Sequence, residues 1–251
     1  MSNRQLYAKL AGWKGKESML YWLAKAITIF YIRTNRIPIV LKGEENIPRK
    51  GPAIFASRHE NNFDWAVTIR FVPFPVHFMF KYDAGRPMRV LMFKYDTSRL
   101  VRVLMTLLLR MFTVRRFGGS NAKAFGKAVR LLSKGGGVGV FPEGTRGPNL
   151  RKAHNGVGYL AARSGCQVIP VAVSGTVSDT EGLLRLSTLL KVLVHPWQEV
   201  TVTFCEPVDP KDFGNDHKAI TEEVMRRIAE QLPKAERGYY ADKVGEGGNA
   251  P

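Results

Sequence analysis

Between residues 37 and 232, short apolar runs alternate with stretches of helical spacing, and this alternation constrains the chain more than any other feature. The apolar runs at 37–42, 52–57, 76–80, 112–116, 137–141, 167–173, 191–194 and 200–205 read as strands. The segments at 63–72, 98–109, 120–133, 155–164 and 216–232 read as helices, with Ser120, Asn155 and Asp216 as caps and Gly165 as a stop. Strands that alternate with helices bury their apolar faces best as one sheet with helices on both sides. The expected fold class is therefore α/β, a central, mostly parallel or mixed sheet covered by helices. A length of 251 residues suits one such domain with a small appendage.

The appendage is expected at the N-terminus. The run 18–32 is apolar, with Ser18 as a plausible cap and Lys14, Lys16, Arg33 and Arg36 at its flanks. At ~1.5 Å per residue it is roughly 22 Å long, short of the ~30 Å of a bilayer's hydrocarbon. A second helix over 4–13 places Leu6, Tyr7, Leu10 and Trp13 on one side. Together they suggest an N-terminal membrane-interface helical hairpin, with packing of both helices on the domain as the plainer reading. The expected division is 1–36 membrane-anchoring helices, 37–237 the α/β domain and 238–251 a flexible tail rich in Gly and charge. The start lacks the pattern of a secretory signal peptide.

Charge narrows the partners. With 38 Lys and Arg against 21 Asp and Glu, the net charge is +17, which favours a polyanionic surface, either nucleic acid or an anionic bilayer. Residues 81–116 alone carry nine basic and two acidic side chains among apolar ones such as Leu91, Phe93 and Leu104. A basic, apolar surface of that kind would draw in anionic lipid; the plainer reading is a solvated helix face over a core stripe. Cys166 and Cys205 have no Cys or His at metal-ligand spacing, so no metal site is read. Two lone cysteines suit a reducing compartment such as the cytosol.

Two segments carry chemistry. The first, after the 52–57 strand, reads Arg58, His59, Glu60, Asn61, Asn62, Phe63, Asp64. On a regular helix, His59 and Asp64 would point about 140° apart. They can meet only if His59 sits in a strand-to-helix turn and Asp64 folds back from the first helical turn, a place where α/β folds put their sites. An imidazole held by a carboxylate is a competent general base. Alone, the pair could equally be a surface histidine and a helix-start acid facing the dipole. The second segment reads Phe141, Pro142, Glu143, Gly144, Thr145, Arg146, Gly147. It presents an acid, a hydroxyl and a guanidinium together, and Arg suits phosphate oxygens. Taken alone, it could also be a surface loop with a structural Arg–Glu pair. Gly135 to Gly137 do not form a nucleotide loop, because no Gly-Lys-Ser/Thr follows.

Taken together, these blocks resemble the glycerolipid acyltransferase family, especially the 1-acylglycerol-3-phosphate acyltransferases. The family order is His-x-x-x-x-Asp, an Arg-bearing strand, Phe-Pro-Glu-Gly-Thr-Arg, then a Val-Ile-Pro-Val strand. Here these fall at His59 to Asp64, Phe112 to Arg116, Phe141 to Arg146 and Val168 to Val171, over roughly residues 40–210. The resemblance implies His59 as base and Asp64 as its support. It implies Glu143, Gly144, Thr145 and Arg146 as the glycerol-phosphate loop, and Arg116, or its neighbour Arg115, on the phosphate. Pro170 would shape the pocket wall. It further implies an O-acyltransferase of phospholipid synthesis needing no cofactor and no metal, and no acyl-enzyme. The donor would be acyl-CoA or acyl carrier protein and the acceptor a lysophospholipid. It would work on an anionic membrane surface, at the cytoplasmic face, with no nucleic acid. The chain departs from the family pattern at Arg58, Asn61, Arg110 and the stretch Ala153 to Gly156. Those departures keep another lysophospholipid or glycerol-phosphate acceptor open. A basic nucleic-acid-binding protein would explain the charge but neither chemical segment.

Overall fold

The computed structural model describes residues 16–34, 37–60, 64–82, 112–115, 122–176 and 199–245. Seven strands form one sheet: β1 (Ile39–Lys42), β2 (Ala53–Ser57), β3 (Val76–Tyr82), β4 (Phe112–Arg115), β5 (Gly137–Val140), β6 (Val168–Ser174) and β7 (Val200–Phe204). Their order is β1-β7-β6-β2-β5-β3-β4. The five from β6 to β4 run parallel; β7 is antiparallel to β6, and β1 is parallel to β7. The mixed sheet expected from the sequence is present. The candidate strand at 191–194 and the candidate helix at 98–109 lie outside the described residues.

Five α-helices are described: α1 (Lys16–Thr34), α2 (Asp64–Phe71), α3 (Ala122–Ser133), α4 (Gly156–Ser164) and α5 (His217–Glu230). Asp216 caps α5 by accepting from the N–H groups of Lys218 and Ala219. Asn155 caps α4 only by position, without a side-chain bond, and Gly165 closes that helix in the left-handed conformation. Ser18 is not a cap, since α1 begins two residues earlier at Lys16.

The strands alternate as period-two packing requires. Ile54, Ala56, Val168 and Ala172 face Leu132, Leu160, Val224 and Ile228 from α3, α4 and α5. Phe55, Ile169, Val171 and Val173 face the other way, into a core with Val67 and Ile69 of α2 and Ile32 of α1. β5 shows why glycine is needed in a strand. A Cβ on Gly139 would lie 2.6 Å from the Phe78 ring, so the missing side chain is the space that ring occupies.

The N-terminal expectation changes most. Helix α1 is bolted to the domain: Tyr21 and Ile32 are buried, the Tyr21 hydroxyl accepts from the Val76 N–H at 3.1 Å, and Lys25 donates to the Val72 carbonyl at 2.5 Å. Burial pushes the Lys25 ammonium down to about 8. The hairpin is not found among the described residues, because its other half, 4–13, lies outside them. No described helix is long and apolar enough to cross a membrane. Of the segment 238–251 expected as a tail, residues 246–251 lie outside the described residues. Residues Gly238–Lys243 form a 3-10 turn, and Tyr240 is fully buried with its hydroxyl accepting from the Ala153 N–H. An aromatic side chain in the core outweighs the local wealth of glycine and charge.

Candidate active site

The site forms at the ends of the parallel strands β2 and β5, where their connections leave the sheet. His59 follows β2 by two residues, and Asp64 opens α2. His59 Nδ1 lies 3.0 Å from Asp64 Oδ2, with the imidazole 17% exposed and the carboxylate fully buried. The pair meets, as a five-residue spacing allows only when the two residues do not share one regular helix.

The Phe-Pro-Glu-Gly-Thr-Arg loop follows β5 and is fastened to the His59 loop. Gly144 takes a left-handed φ of 62°, and its N–H closes a turn onto the Phe141 carbonyl at 3.0 Å. The Gly147 N–H donates to the His59 carbonyl at 3.1 Å, and the His59 N–H donates to Glu143 Oε1 at 2.9 Å. Phe141 stacks on the imidazole with ring centroids 3.9 Å apart, and Phe78 lies 5.2 Å behind Phe141. The ring pocket left by Gly139 thus continues, through two phenyl groups, to the face of His59.

Glu143 occupies a different position from a ligand-facing acid. It is buried, and its second oxygen accepts from the Arg151 N–H at 2.9 Å, so both oxygens are engaged by main chain. Burial pushes its carboxyl up to about 7, outweighing those two bonds. Gly144 and Thr145 are half-buried, and Arg146 is exposed at the mouth of the loop. Pro170 lies within β6 opposite Ala56, its carbonyl accepting from the Cys205 N–H at 2.9 Å. Arg116 lies outside the described residues; Arg115 is the last residue of β4.

Three residues with no site role assigned from the sequence, Arg58, Glu60 and Thr176, surround the pair. Arg58 is fully buried. Its guanidinium bonds the Val173 carbonyl at 2.8 Å, the Pro148 carbonyl, and Glu236 at 2.5 Å, and stands 3.8 Å from Glu60. Thr176 Oγ1 lies 2.8 Å from Asp64 Oδ1 and 2.8 Å from Glu60 Oε2. The signal for Thr176 was pairing: β2 and β6 run side by side with Ser57 opposite Val171, so residues just beyond their ends converge.

A mixed α/β sheet with a His–Asp pair and an Arg-bearing loop at the ends of its parallel strands defines a class. A family model described as Acyltransferase matches residues 38–174, more than half of the chain, and the chain belongs to that family. Among named relatives, it is 29% identical over 162 residues to a 1-acyl-sn-glycerol-3-phosphate acyltransferase of Borreliella burgdorferi, covering 63% of this chain and 60% of that protein. It is 25% identical over 182 residues to the chloroplastic 1-acyl-sn-glycerol-3-phosphate acyltransferase LPAT1 of Arabidopsis thaliana, covering 69% of this chain and 46% of that protein. The matched stretch thus spans less than two thirds of either relative's length. The crystal structure of the 1-acyl-sn-glycerophosphate acyltransferase PlsC from Thermotoga maritima shares the fold, with a TM-score of 0.55 and 22% identity over 90% of this chain and 88% of that one.

Proposed function

We propose that this protein transfers a fatty acyl group from an acyl thioester, carried by coenzyme A or acyl carrier protein, to the free hydroxyl of 1-acylglycerol-3-phosphate, giving phosphatidate. The observation that carries this reading is the 3.0 Å contact between His59 Nδ1 and Asp64 Oδ2. With Nδ1–H donated to the carboxylate, the Nε2 lone pair is left to accept a proton. Nε2 takes the proton of the acceptor hydroxyl as its oxygen attacks the thioester carbonyl. The C–O bond forms, the C–S bond breaks, and the imidazolium returns its proton to the leaving thiolate. Asp64 steadies the imidazolium between those events. Such a base contributes about 10²–10⁴-fold.

The exposed Arg146 and, from β4 onward, Arg116 supply cations for the phosphate of the acceptor. Glu143 acts by holding the two loops in register. The buried Arg58 spends its guanidinium on the Val173 and Pro148 carbonyls and on Glu236, which gives it a structural role in this reading.

The same reading has the reaction run at a membrane surface, on its cytoplasmic face. Met19, Leu23 and Phe30 are 66%, 53% and 69% exposed on α1, and a net charge of +17 favours an anionic leaflet. Cys166 and Cys205 are buried and unpaired, in keeping with a reducing compartment. The test is product identification by mass spectrometry after incubation with labelled acyl thioester and a panel of lysolipids. Phosphatidate as the main product supports the reading; acylation of other acceptors in its place would refute it.

A further inference from the structure

Behind the His59–Asp64 pair stands a hydroxyl between two carboxylates. We infer that Thr176 is a positioning residue for the pair: its hydroxyl, directed by Glu60, holds Asp64 so that Oδ2 faces His59. The inference deepens the acyl-transfer reading and rests on it.

The argument begins with counting hydrogens. A threonine hydroxyl has one hydrogen to donate and lone pairs to accept with. Thr176 Oγ1 lies 2.8 Å from Glu60 Oε2 and 2.8 Å from Asp64 Oδ1, so it cannot donate to both. Both contacts are satisfied when Glu60 keeps its proton and donates to Oγ1, while Oγ1 donates to Asp64. Asp64 then faces a donor on each side, the Thr176 hydroxyl at Oδ1 and the imidazole at Oδ2. Its carboxylate plane is fixed, and the Nδ1–H tautomer of His59 with it. An ionised Glu60 would compete for the same hydrogen and draw it off Asp64. Burial raises the Glu60 carboxyl above its ordinary value, with Arg58 pulling the other way, which is the direction this arrangement needs.

The surrounding backbone holds Thr176 at that point. Gly175 has a φ of 87°, and a Cβ there would lie 2.2 Å from the Glu199 carbonyl oxygen, so the chain turns sharply where only glycine fits. The Thr176 N–H donates to Glu60 Oε2 at 3.1 Å, which pins the residue a second time. Thr176 is 3% exposed, so water is poorly placed to replace its hydroxyl.

The experiment compares Thr176→Val, which keeps the shape and removes the hydroxyl, with Thr176→Ser, which keeps the hydroxyl. In Thr176→Val, kcat is expected to fall about tenfold or more with KM within about twofold, since the loss falls on the base rather than on binding. Thr176→Ser is expected to stay within about twofold of wild type. A second readout needs no turnover: the downfield proton resonance of His59 Nδ1–H should persist in wild type and Thr176→Ser, and broaden or move upfield in Thr176→Val. If Thr176→Val does not fold, Thr176→Ala reads the same two quantities. An unchanged kcat and an unchanged His59 resonance in the hydroxyl-free variant overturn the inference, as does a Thr176→Ser variant as impaired as Thr176→Val. A wild-type protein inactive on all acceptors would sink the acyl-transfer reading alone, because the resonance still decides the role of Thr176.

Discussion

The main-chain N–H of His59 donates to the side-chain carboxylate of Glu143 at 2.9 Å, across 84 residues of sequence. The two chemical segments are thus fastened to each other by the acid of one and the backbone of the other. The Arg151 N–H on the second oxygen completes the clamp.

This clamp predicts a loss in Glu143→Gln that exceeds any change in ligand contact. A carboxamide offers one acceptor oxygen and turns an NH2 toward the other N–H, so one bond becomes a donor–donor contact. Activity is expected to fall by about 10-fold or more, with a destabilisation of about 1–3 kcal/mol. The pH dependence has a definite sign. The folded-state carboxyl is raised from 4.5 to about 7, so its protonated form stabilises the fold below about pH 4.5. That contribution is lost as pH rises toward 7. The stability advantage of wild type over Glu143→Gln should therefore shrink as pH rises from about 4.5 toward 7 and flatten above that. Chemical denaturation at a series of pH values reads it.

Arg58 predicts a stability effect. Its guanidinium joins the ends of β2 and β6 to the Pro148 turn and to Glu236 in the C-terminal segment. Arg58→Ala leaves a carboxylate and two carbonyls short of a donor in a buried place. The expected cost is about 3–5 kcal/mol, read as a lower denaturation midpoint.

Gly139→Ala tests the path from sheet to imidazole. The new methyl group would meet the Phe78 ring at 2.6 Å and press it toward Phe141, which stacks on His59. Overpacking of this kind costs about 1–3 kcal/mol. Turnover should fall further than stability alone explains, and Gly139→Ala paired with Phe78→Leu should restore part of both.

Much of this was legible in the sequence, for reasons that differ by residue. The strands at 53–57, 137–140 and 168–174 announced themselves by apolar runs ending at Ser, Pro or Gly, and the observed bounds differ by a residue or so. His59 and Asp64 were legible because only a turn lets a five-residue spacing meet. Arg58, Glu60 and Thr176 were not, since their partners lie 90 to 178 residues away for Arg58 and 116 and 112 residues apart for Thr176. Local spacing carries no trace of such contacts. The burial of Tyr240 was hidden for the converse reason: the composition around it is that of a loose end, yet its side chain lies in the core.

The exposed face of α1 predicts vesicle binding. Replacing Met19, Leu23 and Phe30 together by Ser should weaken sedimentation with anionic vesicles by about 10-fold or more, since each apolar side chain is worth about 1.5–3 kcal/mol when buried. Binding should also weaken with salt, as the basic charge requires.

The most direct test of the account removes the imidazole. Purified protein in detergent is given labelled acyl thioester and 1-acylglycerol-3-phosphate, and phosphatidate is measured for wild type and His59→Ala. The account predicts product from the wild type and a fall of at least about 10²-fold in the variant, with an unchanged circular dichroism spectrum and melting temperature. Turnover by folded His59→Ala at the wild-type rate would contradict it.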